Sequence, residues 1–438
     1  MIAAASKWLI SWNKVPSCAG ALAKDGFLML YDAYEFQRSM LAGASAMANF
    51  GAGLLQNPAN PFSYFGGGPV LASALEVFAH AAAPRGKPAF GITQTVVDGR
   101  EVAVREEIVL RKAFGQLKHF VREGVTGGPK LLIVAPMSGH YATLLRDTVR
   151  RMLVSADVYI TDWRDAKLVP LSDGRFDLDD YIDYLTDFLA AIGAEGDPRA
   201  HVLAVCQPSV PAYAATAAMG RDRHPNRPYT LSMMGGPIDT REAPTAVNTL
   251  ATERPHAWFE QNVIATVPMT YPGAGRRVYP GFLQLAGFMS MNLGNHMISH
   301  WEMFKHLVEG DGDSASATKD FYDEYRSVCD MTAEFYLQTI ELVFQTHALP
   351  NGTMTHRGRP VDPASITDTA LLAIEGERDD ISGLGQTRAA LTLAKALPEE
   401  MKQYHLAEGV GHYGIFHGSK WRNRIAPVLE AWIAQHGG

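Results

Sequence analysis

Cysteine is scarce in this chain. Cys18, Cys206 and Cys329 stand far apart, a spacing that gives neither a metal-ligand motif nor a disulfide framework. A reducing, cytoplasmic setting fits such usage best. Long apolar runs are missing too. Residues 200–219 come closest to a membrane span, and Gln207, Pro208, Ser209 and Pro211 interrupt them. Near the N-terminus, Trp8, Leu9, Ile10 and Trp12 form a short patch. Ser11, Asn13 and Lys14 break it before the apolar core of a signal peptide develops. Excess positive charge is absent: the net charge is -7, and the basic residues are scattered. That removes the electrostatic case for nucleic acid or an anionic membrane as partner. No internal repeat or low-complexity tract is present, and no cofactor is implied.

What is there is the composition of a soluble globular protein, 47% hydrophobic and 19% charged over 438 residues. That length suits two or three domains, or one large α/β domain with an insertion. Residues 29–57 have helical character, 57–69 are a loop by composition, and a second helix is expected from Val70 to about Ala82. Ile92–Val97 and Val102–Leu110 flank Asp98-Gly99, a hairpin signal. A helix is expected near Phe114–Glu123. Strands at Lys130, Asp157–Thr161, His201–Val205 and Tyr229–Met234 then alternate with helices, one of them carrying Leu178, Ile182, Leu185, Leu189 and Ile192 on one face. Such alternation predicts a mostly parallel sheet. It pauses over 242–350, a helical stretch without clear strands, and resumes with strands at Thr369–Glu375 and Lys402–Ala407, a helix at Gly385–Ala396 and a last one at Trp421–His436. The expected organisation is an N-terminal extension (1–28), a helical segment (29–90), a core in two parts (91–238 and 361–438) and a helical cap inserted at 239–360.

The most informative residue is Cys206. The apolar run His201–Val205 ends at it and a small-residue helix begins just after it. This is the layout of a nucleophile elbow, in which a sharp turn between strand and helix presents the attacking atom. The usual Gly-x-Ser-x-Gly reads here as Ala204, Val205, Cys206, Gln207, Pro208. Ala204 is still small, and Pro208 suits a first helical turn. Taken alone, Cys206 reads better as a buried core thiol. A nucleophile needs a base and a group that orients the base, and in the α/β-hydrolase order these follow it as acid and then histidine. Both slots are filled. Asp379 leaves the strand at Thr369–Glu375, with Asp380 its rival, and His412 lies in the loop after Lys402–Ala407, where His405 and His417 fit less well. The joint occurrence of three residue types in this order, each at a strand end, is what singles them out. The Gln207 N–H is one expected oxyanion donor, and Met137 or Ser138, after the Lys130 strand, supplies the other. A helix N-terminus and a protonated imidazole both favour a thiolate.

Several segments resemble the intracellular polyhydroxyalkanoate depolymerases of the poly(3-hydroxybutyrate) type: Val205–Pro208, Glu375–Thr387, Gly411–Arg422, Met29–Arg38 and Thr161–Trp163. The resemblance runs from about Met29 to the C-terminus. It implies an α/β-hydrolase fold and a Cys–Asp–His triad at Cys206, Asp379 and His412. It also implies ester hydrolysis of amorphous polyester at cytoplasmic granules, releasing 3-hydroxybutyrate oligomers or monomers. Residues 1–28 depart from the family pattern, as a misassigned start or a real tail would.

In the expected cap, Phe282, Leu285, Phe288, Met289 and Met291 stand close together, followed by Trp301, Met303 and Phe304. Phe282, Phe288 and Trp301, with His140 from the Met137 loop, are candidate substrate-binding residues. Apolar residues at such helical spacing are more often core or a homodimer interface. Two other functions compete. A polyhydroxyalkanoate synthase would be expected to carry Gly-x-Cys-x-Gly, where this chain has Ala204 and Pro208; another cysteine acyltransferase, with coenzyme A in place of water, is the related alternative. A non-catalytic granule protein would have no need of intact triad slots.

Overall fold

Parallel strands buried on both faces need helices on both sides, and the chain supplies them in alternation. The structure, a computed structural model, describes residues 22–57, 59–63, 67–83, 86–194, 196–291 and 323–437. Two helices come first, α1 (Leu22–Gln56) and α2 (Gly68–Ala82). An antiparallel meander follows: β1 (Gln94–Val97), β2 (Arg100–Arg111) and β3 (Gly115–Arg122). Then come β4 (Lys130–Val134), α3 (Arg146–Met152), β5 (Asp157–Trp163), α4 (Leu178–Ile192), β6 (His201–Val205), α5 (Ser209–Arg221) and β7 (Thr230–Met234). The hairpin read at Asp98-Gly99 is present, with Val97 paired to Arg100. Helix α4 starts where Asp177 and Asp180 form a reciprocal capping box.

The segment expected as a helix at Phe114–Glu123 is strand β3, a correction to the sequence reading. Its Leu117 and Phe120 are fully buried, and it is paired antiparallel on both edges, to β2 and β5. Ladder pairing on two sides outweighs a local helical spacing.

Between β7 and the next strand of the main sheet lie α6 (Ala246–Glu253), α7 (His256–Asn262), β8 (Ala265–Thr266), β9 (Arg277–Tyr279), α8 (Gly281–Met291), β10 (Met331–Thr332), α9 (Ala333–Thr339), β11 (Thr355–His356) and β12 (Arg359–Pro360). This stretch is helical but not free of strands, a second correction. β8, β9 and β10 form a small antiparallel sheet, and β11 pairs with β12. Strands of two or three residues leave no periodicity to read. β13 (Ala370–Gly376), the short α10 (Ala389–Leu393), β14 (Lys402–Ala407) and α11 (Ala426–His436) complete the chain.

The main sheet has nine strands in the order β1-β2-β3-β5-β4-β6-β7-β13-β14. From β5 to β14 every neighbouring pair is parallel. The chain moves outward from β4 to β5, then crosses back to β6, so the winding reverses between β4 and β6. In such sheets the crevice at the carboxyl ends of the strands flanking the reversal is where ligands sit. All residues of β6, β7 and β13 are buried, and their apolar side chains form one continuous core with the flanking helices. This strand order, with a strand–turn–helix at β6–α5, is the α/β-hydrolase fold.

Candidate active site

Cys206 is the residue after β6, and its backbone has φ 67, a left-handed conformation that side chains other than glycine seldom take. Holding it there costs on the order of 1–3 kcal/mol. Two hydrogen bonds fix the turn: Cys206 N donates to the Met234 carbonyl at 2.7 Å, and Ser209 N donates to the Cys206 carbonyl at 3.0 Å. Helix α5 begins at Ser209 behind Pro208, so its first turn lies directly against Cys206.

His412 opens a short 3-10 turn after β14 and is 4% exposed. Its Nδ1 lies 2.7 Å from Asp379 Oδ2. The Asp379 side chain is 1% exposed, and its other oxygen accepts from Ile381 N at 2.9 Å and Ser382 N at 2.8 Å. Those bonds turn Asp379 inward, whereas its neighbour Asp380 is exposed. The Cys206 side chain lies close enough to the His412 ring to act on its protonation. Burial disfavours charge on that ring, but the Asp379 carboxylate, Cys206 and their hydrogen bonds prevail and hold its pKa well above the usual histidine value. The structure therefore brings Cys206, His412 and Asp379 into one chain of contacts. His405 lies within β14, and His417 stands 3.7 Å from Asp147.

The Met137 loop follows β4, the strand paired with β6. Met137 N donates to Gln207 Oε1 at 3.3 Å. The donor expected to face an oxyanion is thus satisfied by the side chain of the residue after Cys206, while Gln207 Nε2 is buried without a partner. Ser138 is half-buried beside it. His140 is buried, and its Nε2 donates to the Tyr325 carbonyl at 3.0 Å. Burial pushes its pKa down to about 4, so it is a neutral ring that holds the 323–330 segment over the loop.

Phe282 lies on α8. Its ring stacks on Tyr34 at 4.0 Å and meets Tyr31 edge-on at 5.6 Å, so it packs α8 against α1. Phe288 belongs to α8, and Trp301 lies outside the described residues. Among the described residues no group of three or more His, Cys, Asp or Glu could hold a metal ion.

Sequence reasoning missed several neighbours. Tyr413 follows His412, and its ring lies 5.6 Å from that of Tyr325. Burial, then the charges of Tyr325 and Cys206, raise the Tyr413 pKa far above its ordinary value. Gly235 has φ +55, and a Cβ there would stand 3.1 Å from both Asp379 Oδ2 and His412 Cε1. Glu375, buried, accepts from Gly385 N, Thr387 N, Arg388 N and the Tyr404 hydroxyl at 2.8–2.9 Å. It thereby closes the loop that carries Asp379.

Residues 235–437 match a family model described as PHB de-polymerase C-terminus. That part of the chain is similar to this family. The match contains Asp379 and His412, and Cys206 lies outside it. Among solved structures, a thermophilic esterase from Thermogutta terrifontis is 14% identical, covering 79% of this chain and 98% of that one at a TM-score of 0.39. A naproxen esterase from Bacillus subtilis is 13% identical, covering 75% and 92% at 0.40. A bacterial membrane phospholipase A is 14% identical, covering 76% and 86% at 0.41. Comparison with curated proteins finds no match. Among the described residues no helix is long and apolar enough to cross a membrane.

Proposed function

We propose that the protein is an ester hydrolase that depolymerises poly(3-hydroxybutyrate) or a related polyhydroxyalkanoate through Cys206. The carrying observation is the 2.7 Å contact of His412 with Asp379 on a ring that Cys206 also reaches. The match of residues 235–437 supports the substrate class.

In this reading His412 Nε2 takes the Cys206 proton while its Nδ1–H stays on Asp379, which fixes the ring and offsets its positive charge. The sulfur attacks the ester carbonyl. The resulting oxyanion is received by Gln207 N–H and by Met137 N–H, once the Gln207 side chain has given up the latter. Collapse expels the alcohol, protonated by His412, and leaves a thioester on Cys206. Water, deprotonated by His412, attacks that thioester. A second collapse releases the 3-hydroxy acid and returns the proton to sulfur. No cofactor takes part. The 239–360 stretch acts as a cap over the site, and the enzyme works at cytoplasmic storage granules.

The direct test is hydrolysis of amorphous poly(3-hydroxybutyrate) by the wild type and by Cys206→Ala. The reading requires release of 3-hydroxybutyrate oligomers or monomers by the first and a loss of at least a thousandfold in the second. Equal rates would remove Cys206 from the chemistry.

A further inference from the structure

The hairpin formed by α1 and α2 is built inside out. Its helices meet through small residues: Ser45, Ala48 and Ala52 on α1 and Ala72 and Ala79 on α2 are buried, and Ser45 Oγ donates to the Ala79 carbonyl at 2.7 Å. The large apolar side chains point the other way. Phe36 is 70% exposed, Met47 78% and Phe50 71%, with Met40, Leu71 and Phe78 exposed beside them. Phe36, Met40, Met47, Phe50 and Leu54 fall on one stripe of α1, about 27 Å long at 1.5 Å per residue. Small residues between helices and large apolar ones outside is the arrangement of helices whose surroundings are apolar.

Charge gives the second, independent observation. No Asp, Glu, Lys, Arg or His occurs from Ser39 through Leu75. A seam covered by a second copy of the chain would leave the outer flanks in water, free to carry the charges that set register in helix pairs. Here charge is excluded all round. The face is too large to be an ordinary scatter of exposed apolar residues, and no described helix is apolar enough to cross a membrane.

We infer that the exposed apolar face of α1 and α2, carried by Phe36, Met40, Met47, Phe50, Leu71 and Phe78, is the surface by which the protein adheres to its neutral polyester phase. This rests on the depolymerase reading for the identity of the partner. The hairpin's base is fixed to segments that border the candidate site. Tyr31 donates to Asp330 Oδ2 at 2.6 Å, and His80 Nε2 lies 2.9 Å from Asp323 Oδ1. The same 323–330 segment contacts the Met137 loop, with Cys329 N donating to the Gly139 carbonyl at 2.8 Å. Adhesion through the hairpin therefore holds the loop bordering Cys206 near the polymer.

The test uses the full chain with Cys206→Ala, so that binding is read without turnover, and protein-free amorphous poly(3-hydroxybutyrate) particles in a pelleting assay. Two triple variants replace Met40, Met47 and Phe50 with Glu, or with Lys; Phe50→Glu alone is the milder version. Circular dichroism checks the fold. The expected result is at least a tenfold loss of particle binding in both triple variants, whatever the sign of the charge, and a several-fold loss in Phe50→Glu. Phosphatidylcholine vesicles should bind the wild type far less than the particles do, and sedimentation should give one mass for all forms. Undiminished binding by the folded variants overturns the inference, as does a wild type that does not pellet or that prefers vesicles. So does a dimer that the substitutions split, because the face is then a subunit seam. Failure of the depolymerase reading shows elsewhere, as a wild type that releases no 3-hydroxybutyrate oligomers or monomers from the polyester.

Discussion

A Cβ on Gly235 would stand 3.1 Å from Cε1 of His412. The residue at φ +55 after β7 is thus a spacer for the imidazole. Gly235→Ala pays twice, in left-handed strain and in displacement of the ring. Strain of about 1 kcal/mol should lower the melting temperature by a few degrees. A ring moved by a few tenths of an ångström to 1 Å should cut kcat/KM by up to a hundredfold. Calorimetry and ester kinetics on the purified variant check both, and wild-type kinetics would show that the spacing is not needed.

Cys206 carries strain that glycine would not. Cys206→Gly is expected to be inactive yet more stable than the wild type by about 1 kcal/mol, since glycine takes φ 67 without penalty. Cys206→Ala should be equally inactive without that gain. Denaturant midpoints of the two proteins separate the cases, and equal stabilities would deny that the elbow is strained.

Gln207 offers a contrasting case. Its side chain accepts from Met137 N in the free protein, and a substrate oxyanion must displace it. Such a bond is worth about 1 kcal/mol net. Gln207→Ala should keep the backbone donor and raise kcat/KM by up to about fivefold. A fall of a hundredfold would mean that the side chain, not only the backbone, serves the reaction.

Much of this site was legible in sequence, and the part that was not has physical reasons. The elbow showed because an apolar run stops at Cys206 and small residues follow, a pattern only a strand–turn–helix explains. The Gly-x-x-Asp-x-Ile pattern favours Asp379 over its neighbour Asp380 without separating them fully, since both leave the same strand; the backbone bonds from Ile381 and Ser382 to Asp379 show which one turns inward. β3 was misread because its pairing on both edges, to β2 and to the later β5, leaves no mark in the local spacing of its apolar residues. The packing of Phe282 on Tyr34 could not be read in advance, because an apolar ring on a helix looks the same whether it lines a slot or packs on a neighbouring helix. The short strands β8, β9 and β10 leave no periodicity to detect.

Glu375 positions the acid loop without touching His412. Glu375→Ala strips acceptors from three backbone N–H groups and should cost about 3 kcal/mol or more. The variant that remains folded should lose kcat while keeping KM. Glu375→Gln should lie between the two, because it keeps one acceptor oxygen.

His412 gives the pH dependence its sign. Its folded pKa is raised, so the stabilisation it gains from Asp379 is complete below the unfolded value of about 6.5 and is lost as pH rises through the higher folded value. The melting-temperature difference between wild type and His412→Gln should therefore be largest at mildly acidic pH and shrink on the alkaline side. A difference that grows with pH would contradict a charged ring held by Asp379.

The central claim concerns a bond to sulfur. Wild-type protein mixed with a short 3-hydroxybutyrate ester, quenched in acid within the first turnovers and digested, should yield the Cys206 peptide heavier by the acyl group, and Cys206→Ala should yield none. An unmodified Cys206 peptide throughout turnover, or acyl mass on another residue, would contradict the account.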